Sequence, residues 1–210
     1  LAIVALTCLV GGIIEGGAQG FTQTVPMALL IVGAVGLALF IFSQSRVASP
    51  LMPLSLFSSA GIRLALLGGF SMILSWNGCV FLSTLFLQQE LSLSPLVCGL
   101  SFIPSAFSGA FGNLMSDRLA GARGSRFALM VGTALLTLGY GLIIVFAGLE
   151  TLDAPLIALA VCLAGMGGGI NTPCLANLVL KSTDAQHSGI ASAVFNAMRQ
   201  VGGAIGIAVF

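Results

Sequence analysis

Side chains that could catalyse a reaction are few in this sequence and are not grouped as in an enzyme. The single histidine, His187, has no serine or cysteine placed to act with it as nucleophile and base. The H-E-x-x-H and G-x-x-x-x-G-K patterns, which bind zinc and phosphate, are absent from the sequence. Its five cysteines are scattered singly, unlike those of a disulfide framework or a metal site. We therefore expect no enzyme, no metal and no cofactor, and interpret the cysteines as small packing residues.

Polar side chains inside long apolar segments are better placed to bind a ligand. Such groups are costly in lipid and usually face the helix bundle or a water-filled cavity. Trp76 and Asn77 lie near the middle of one segment, where a ring beside an amide suits a cavity that stacks aromatic or cationic ligands. Interhelical packing with one hydrogen bond is the alternative. Three residues follow Asn77 on one helical face, at offsets of 4, 7 and 11: Phe81, Thr84 and Gln88.

A later segment holds asparagines around a glycine-rich break. Asn171 and Asn177 flank Pro173, which follows three consecutive glycines at 167–169. We include both asparagines among the candidate cavity residues. The alternative is that they hydrogen-bond backbone groups that the proline leaves without a partner.

Arg199 lies deep in the last apolar segment. At about 1.5 Å per residue it is roughly 15–18 Å from the start of that segment, too far to reach the near surface easily. No acid inside an apolar segment is present to pair with it. Either a missing part of the protein supplies the partner, or Arg199 hydrogen-bonds carbonyls and Gln200. Structural anchoring and a role in transport or gating are both open.

The composition predicts an integral membrane protein. Hydrophobic residues make up 58% of the 210 residues and charged residues 6%, and the mean hydropathy is +1.13. Soluble domains are about 25% charged. The net charge of +1 forms no basic face, so we expect no nucleic-acid partner.

Seven apolar segments are long enough, or nearly so, to cross about 30 Å of hydrocarbon. The predicted fold is therefore an all-α polytopic membrane protein, with the first helix cut short. The predicted segments are approximately 1–15, 24–44, 62–88, 95–117, 126–147, 154–180 and 187–210.

The charged residues sort by connection. Acidic residues without Lys or Arg occupy connections one, three and five: Glu15, Glu90, Glu150 and Asp153. Basic residues occupy connections two, four and six: Arg46, Arg63, Arg118, Arg123, Arg126 and Lys181. Because basic residues in short loops mark the cytoplasm, we place the even-numbered connections inside the cell.

Glycine and proline patterns predict how the helices pack and end. Pairs of glycines four residues apart allow close helix contact: Gly12/Gly16/Gly20, Gly165/Gly169 and Gly202/Gly206. Pro26, Pro104 and Pro173 interrupt apolar segments; Pro104 is a candidate kink, and Pro173 after the glycines at 167–169 predicts a kinked, deformable helix. Ser94 before Pro95 predicts a helix start, and Thr183 with Gln186 predicts a capping box for the last helix. The charged stretch Gly112–Arg126 is interpreted as a cytoplasmic turn.

Four stretches resemble the major facilitator superfamily, and within it the fourteen-helix drug:proton antiporter group of the EmrB/QacA type. They are the connection Arg46–Phe57, the turn Phe86–Leu100, the charged stretch Gly112–Arg126 and, most similar, the stretch Ser188–Gly206. The charged stretch departs from the family pattern at Asn113 and Gly121. The resemblance implies a partial fold covering helices seven to thirteen of fourteen.

The resemblance implies a domain order and a mechanism. Residues 1–44 would form two linker helices, 45–61 a cytoplasmic loop, and 62–210 five of the six helices of the C-terminal half. Asp117, Arg118 and Arg123 would form a latch whose ion pairs change with conformation. The proton-carrying acid would lie in the missing N-terminal half.

The expected function is proton-coupled efflux of hydrophobic or cationic drugs across the cell membrane by alternating access. Partners would be membrane lipids, substrate, protons, the missing half and, as a further candidate, a periplasmic adaptor. The alternatives are a transporter of a specific metabolite and a non-transporting scaffold or receptor on the same fold.

Overall fold

The computed structural model describes residues 2–46, 57–148 and 153–209, and these form seven α-helices. The predicted connection through Pro50 and the acidic Glu150 lie outside the described residues. A short 3₁₀ turn, Ala185–His187, precedes the last helix. The helices are α1 (Ala2–Gln19), α2 (Thr24–Arg46), α3 (Ala60–Gln89), α4 (Pro95–Arg123), α5 (Ser125–Gly148), α6 (Ala154–Lys181) and α7 (Ser188–Val209).

Within the described ranges, five helices are long and apolar enough to cross a membrane: α2, α3, α4, α5 and α6. The apolar part of α1, Ile3–Gly17, is shorter than a full span. The last helix, α7, has 22 residues but interrupts its apolar sequence with Asn196, Arg199 and Gln200. The all-α membrane fold is confirmed, although neither α1 nor α7 is among the helices that are long and apolar enough to span a membrane.

The first two connections begin later than predicted. Helix α1 continues to Gln19, so Glu15 lies inside a helix rather than in a loop. The helix ends at Gly20, whose φ of 96° places it in the left-handed region, and the Gly20 N–H donates to the Gly16 carbonyl at 2.9 Å. A Cβ added at Gly20 would meet nothing within 4 Å, so Gly20 does not extend the Gly12/Gly16 stripe as a helix contact.

The predicted turn Gly112–Arg126 is wrong over most of its length. Helix α4 continues to Arg123, and Gly124 alone separates it from α5, with φ of 86° and an N–H···O bond of 2.9 Å to Ala120. Polar residues such as Asp117 and Arg118 fit the helix because they lie on its exposed face, while Gly112 and Ser116 are buried. Charge alone does not break a helix whose other face is packed.

One predicted helix cap is confirmed and the other is wrong. The Ser94 hydroxyl accepts the Val97 N–H at 3.4 Å, and Pro95 begins α4. Thr183 instead donates its hydroxyl to the Val179 carbonyl at 2.8 Å in the turn before it. The 3₁₀ turn then delays the start of α7 to Ser188.

The chain divides into two compact units, the first formed by Leu1–Gly78 with Leu178–Phe210. In this unit α1 and α2 run antiparallel, with Gly12 against Leu30 and Gly33 against Leu9. Helix α7 runs parallel to α3, because Gly202 lies against the Phe70 carbonyl and Gly206 against the Leu74 carbonyl. The predicted Gly202/Gly206 stripe is therefore confirmed as a helix contact.

The start of α3 lies beside the end of α6 in the same unit. A Cβ added at Gly61 would overlap the Ser182 hydroxyl. Arg63 and Lys181 consequently lie at one end of this unit, as the predicted sidedness requires.

The second unit is Cys79–Asn177. Within it α4 and α6 run parallel in backbone contact, with Gly165 against the Ser105 carbonyl and Gly169 against the Gly109 carbonyl. The predicted Gly165/Gly169 stripe is confirmed. Pro104 and Pro173 both lie inside continuous helices, α4 and α6 respectively.

Serine hydroxyls follow the same α4–α6 contact. Ser108 donates to the Cys162 carbonyl at 2.7 Å, and Ser116, 1% exposed, donates to the Ile170 carbonyl at 2.9 Å. In each case a hydroxyl of α4 donates to a backbone carbonyl of α6. The close approach of the two helices therefore gives these hydroxyls a hydrogen-bond partner without water.

Helix α5 packs antiparallel on α6 through further glycines. Gly139 lies against Ala160 and Ala164, and Gly132 lies against Asn171. The side chain of Asn171, 5% exposed, is 3.2 Å from the Thr133 hydroxyl. With the oxygen and nitrogen of the Asn171 side-chain amide exchanged, the nitrogen donates to the Leu129 carbonyl and the oxygen accepts from the Thr133 hydroxyl, each at 3.2 Å.

Replacing Gly169 by alanine should destabilise the protein, because the added methyl group meets the Gly109 backbone and the two helices must separate. We expect a loss of about 1–3 kcal/mol, typical of overpacking. The matched control is Gly168→Ala, where nothing lies within 4 Å of the added carbon. Thermal unfolding of the full-length protein in detergent, followed by circular dichroism, measures both; equal melting temperatures would contradict the contact.

Asn171→Ala should also destabilise the protein, by about 1–3 kcal/mol, because the buried Asn171 side chain loses its packing against α5 and its hydrogen bond to Thr133. Asn177→Ala on the same helix is the control, since Asn177 is exposed and surface changes usually stay within about 0.5 kcal/mol. The same unfolding experiment compares them. A larger effect at Asn177 would show that the two asparagines have been assigned the wrong roles.

Candidate functional site

Trp76 and Asn77 lie at mid-helix in α3 and are both half-buried. Asn77 faces α7: a Cβ added at Gly203 would come 2.7 Å from the Asn77 amide nitrogen. Gly203 is four residues after Arg199, so Asn77 contacts α7 one turn beyond that arginine. The structure thus brings two of the predicted polar residues to one helix contact.

Arg199 is held at the same contact by its stem. A Cβ added at Gly69 of α3 would lie 3.3 Å from the Arg199 Cγ and would also overlap the Phe195 ring. The guanidinium carbon lies 5.6 Å from the centre of the Phe195 ring, which is within cation–π range. The Nε atom is buried and has no hydrogen-bond acceptor in the described part of the chain.

The three residues predicted to continue the Asn77 face differ in their surroundings. Phe81 is half-buried, and Thr84 donates its hydroxyl to the Val80 carbonyl at 2.7 Å within α3. Gln88 is exposed and precedes the last residue of α3. All three residues lie in the continuous helix α3, as predicted, but Gln88 lies at the end of the helix rather than at mid-depth.

The two asparagines of α6 separate into different environments. Asn171 is buried against α5, and its side chain contacts the Thr133 hydroxyl rather than backbone groups beside Pro173. Asn177 is exposed. Thr172, beside Pro173, donates to the Gly168 carbonyl at 2.8 Å and so is satisfied within its own helix.

The proposed latch residues lie on the last two turns of α4. Asp117 and Arg118 are exposed, and neither forms an ion pair with the residues described. Arg123 is also exposed, and its guanidinium carbon lies 5.0 Å from the Phe127 ring centre across the Gly124 break. In this conformation the charges face outward from a helix rather than bridging two helices.

Three features escaped the sequence interpretation. The Tyr140 hydroxyl on α5 is buried without a hydrogen-bond partner in the described residues. A groove of about 690 Å³ on α5 exposes Thr133 and Thr137. Another of about 490 Å³ between α1 and α7 is lined by Thr7 and Gln200. The four-residue spacing of Thr133 and Thr137 places both threonines on one helical face, which the sequence alone could have shown. The other two features depend on which helices become neighbours.

The acidic and metal-binding side chains do not form a separate centre. Across the described ranges, no three His, Cys, Asp or Glu residues lie close enough to hold a metal ion. The polar residues that the structure brings together are instead an arginine, an asparagine and aromatic rings, a set suited to non-covalent binding.

Comparison with known proteins gives matches over the whole chain. The family profile of the Major Facilitator Superfamily matches residues 1–207. The multidrug resistance protein Stp of Mycobacterium tuberculosis is 31% identical over 209 residues, covering 100% of this chain and 38% of that protein. The methylenomycin A resistance protein of Streptomyces coelicolor is 30% identical over 210 residues, covering 99% and 43%.

A third relative, the tetracenomycin C resistance and export protein of Streptomyces glaucescens, is 29% identical over 213 residues, covering 98% of this chain and 38% of that protein. The chain therefore spans about two-fifths of the length of these relatives. The described residues form seven helices, five of them long and apolar enough to cross a membrane. The chain is a multi-pass cell-membrane protein and belongs to the Major Facilitator Superfamily.

Proposed function

We propose that the full-length protein is a secondary transporter that exports hydrophobic or cationic compounds in exchange for protons, and that it is not an enzyme. The observation that carries this proposal is the similarity of the entire chain to proteins named for drug resistance and export. The geometry supports the transport proposal, since polar groups lie at mid-helix, where they can bind a ligand.

The proposed place of this chain in the full protein follows the fourteen-helix arrangement. Residues 1–44 form the two linker helices, 45–61 the cytoplasmic loop and 62–210 five helices of the C-terminal half. The remaining helices supply the titratable carboxylate for proton coupling. They also complete the cavity, since members of this class bind substrate at the midplane between two halves that rock about it. A periplasmic adaptor is a further partner in this proposal.

The proposed cavity centres on the α3 residues Trp76 and Asn77 and on Arg199 of α7. Asn77 and Arg199 meet the same α3–α7 contact, and Trp76 precedes Asn77 at mid-helix. In the second unit Phe81, Thr84, Gln88 and Asn177 are further candidates for substrate contact. Asn171, which is buried against α5, is assigned to the α5–α6 contact rather than to substrate.

The proposed latch acts at the exposed end of α4. Asp117 and Arg118 are free of ion pairs among the described residues in this conformation and can pair in another. An exposed ion pair contributes about 1 kcal/mol or less, so substrate or proton binding is sufficient to shift the equilibrium. Arg123 stacks on Phe127 and helps to hold the Gly124 turn.

Trp76→Ala should reduce efflux because the cavity loses its largest aromatic surface. The measurement is ethidium efflux from cells expressing the full-length protein, with and without a protonophore. We expect the wild type to lower intracellular ethidium only while the proton gradient is present, and Trp76→Ala to lose about tenfold in efflux efficiency, as for an aromatic contact of roughly 1–3 kcal/mol.

The matched control for that experiment is Phe107→Ala, which removes an aromatic side chain that is 74% exposed. It should export ethidium like the wild type. Efflux that persists after the gradient is collapsed would contradict proton coupling. Normal efflux by Trp76→Ala would show that the cavity has been assigned to the wrong residues.

Asp117→Asn should slow transport by roughly fivefold, the equivalent of about 1 kcal/mol, because the latch loses its acid. Substrate affinity should be unchanged, since the residue lies on an exposed turn away from mid-helix. Asp184→Asn is the control: Asp184 is exposed and makes no side-chain cap hydrogen bond. Transport rates and equilibrium binding in proteoliposomes separate the two effects, and equal rates for both variants would rule out the latch.

A further inference from the structure

Arg199 differs from the other charged residues that the structure describes in its distance from the helix ends. It lies about three turns from each end of α7, whereas Glu15, Arg63, Asp117 and the remaining charges lie within two turns of a helix end or outside the helices. A charge at this depth is stable only with a partner or water. The structure therefore places a cation at mid-depth in the first compact unit, with no ion pair to it among the described residues.

The position of this cation is fixed by backbone contacts. Gly202 and Gly206 lie against carbonyl groups of α3, so α7 cannot turn about its axis without separating from α3. The Cγ of Arg199 packs against Gly69 of α3. Any residue larger than glycine at this position would collide with Arg199 or with the Phe195 ring. The arginine stem is consequently held against α3, and rotation toward lipid is opposed by the whole contact.

The groups around the guanidinium leave its Nε–H without an acceptor in the described residues. The Phe195 ring, 5.6 Å away and itself buried against Gly69, attracts the charge but accepts little from the N–H groups. Asn77 adds an amide one turn further along the same contact. Together Arg199 and Asn77 offer several donors and one positive charge.

We propose that this α3–α7 site binds the acidic group of amphipathic substrates, a carboxylate or phenolate whose apolar body lies along Trp76. The inference rests on the proposed export function and narrows it, since a fixed cation disfavours cationic compounds at this position. The planar guanidinium pairs with a carboxylate through two parallel hydrogen bonds, and the Asn77 amide can donate a third.

A competing partner for Arg199 is an acidic residue in the remainder of the full-length protein. Such an ion pair would neutralise the charge permanently or in one conformation, and Arg199 would then affect every substrate equally. The two possibilities differ in one measurable property: a substrate site depends on the charge of the probe, whereas an internal ion pair does not.

The test uses purified full-length protein in nanodiscs and three probes of matched shape: naphthylacetate, its methyl ester and a naphthylmethyl trimethylammonium salt. Equilibrium dialysis gives the affinity of each probe for the wild type, Arg199→Gln and Arg199→Lys. Arg126→Gln, which changes an exposed arginine at the start of α5, is the control. Thermal unfolding identifies any variant that fails to fold, and Arg199→Lys retains the charge if Arg199→Gln is too unstable to use.

We expect the wild type to bind naphthylacetate at least about tenfold more tightly than the ester or the cation. Arg199→Gln should remove that difference while leaving ester binding unchanged. Arg199→Lys should keep part of the difference, because lysine retains the charge but not the paired donors of the guanidinium. Equal losses for all three probes would overturn the proposal in favour of an internal ion pair. Binding independent of Arg199 would overturn it outright.

Because these measurements are made at equilibrium, they are separate from the proposed export function. A protein that binds naphthylacetate through Arg199 but fails to export ethidium would retain this site and lose the proposed transport. A protein that exports ethidium and shows no charge preference would keep the transport and lose the site.

Discussion

Close backbone contact at glycine is the interaction on which the rest of this structure depends. Helices inside a bilayer are not driven together by exclusion of water, since lipid tails are as apolar as leucine, and association relies on van der Waals contact and hydrogen bonds. Gly165 and Gly169 bring α6 against α4, and Gly202 and Gly206 bring α7 against α3. At these distances serine hydroxyls reach carbonyls of the neighbouring helix, as Ser116 does at Ile170. One residue type thus supplies both kinds of contact.

The sequence predicted the number and order of the helices well, because runs of apolar residues have few alternatives in a chain with 6% charged residues. It placed helix ends less well. Asp117 and Arg118 were interpreted as loop residues on account of their charge, yet they continue α4 because its opposite face is buried through Gly112 and Ser116. Whether a charged stretch is a loop or an exposed helix face depends on a tertiary contact, which local composition does not encode.

The candidate site shows the same limit. Helical periodicity correctly placed Asn77 and Arg199 inside α3 and α7, but it could not show that Gly203 would bring Asn77 within one turn of Arg199. The asparagines of α6 looked equivalent by type and by distance from Pro173. Only the neighbouring α5, through Thr133, makes Asn171 a packing residue and leaves Asn177 exposed. Which helices become neighbours is the information that a single sequence lacks.

Mid-helix polar groups in this chain therefore fall into two sets with different consequences. Thr84, Thr172, Ser116 and Asn171 have their hydrogen bonds inside the protein, so their contribution is to stability and helix contact. The Arg199 Nε and the Tyr140 hydroxyl are buried without acceptors in the described residues. A buried donor without an acceptor destabilises the protein, so each of these groups needs a partner beyond the described residues, either a bound ligand or another part of the full-length protein. Stability alone would favour an apolar side chain at either position, and the arginine, which is also charged, carries the larger cost.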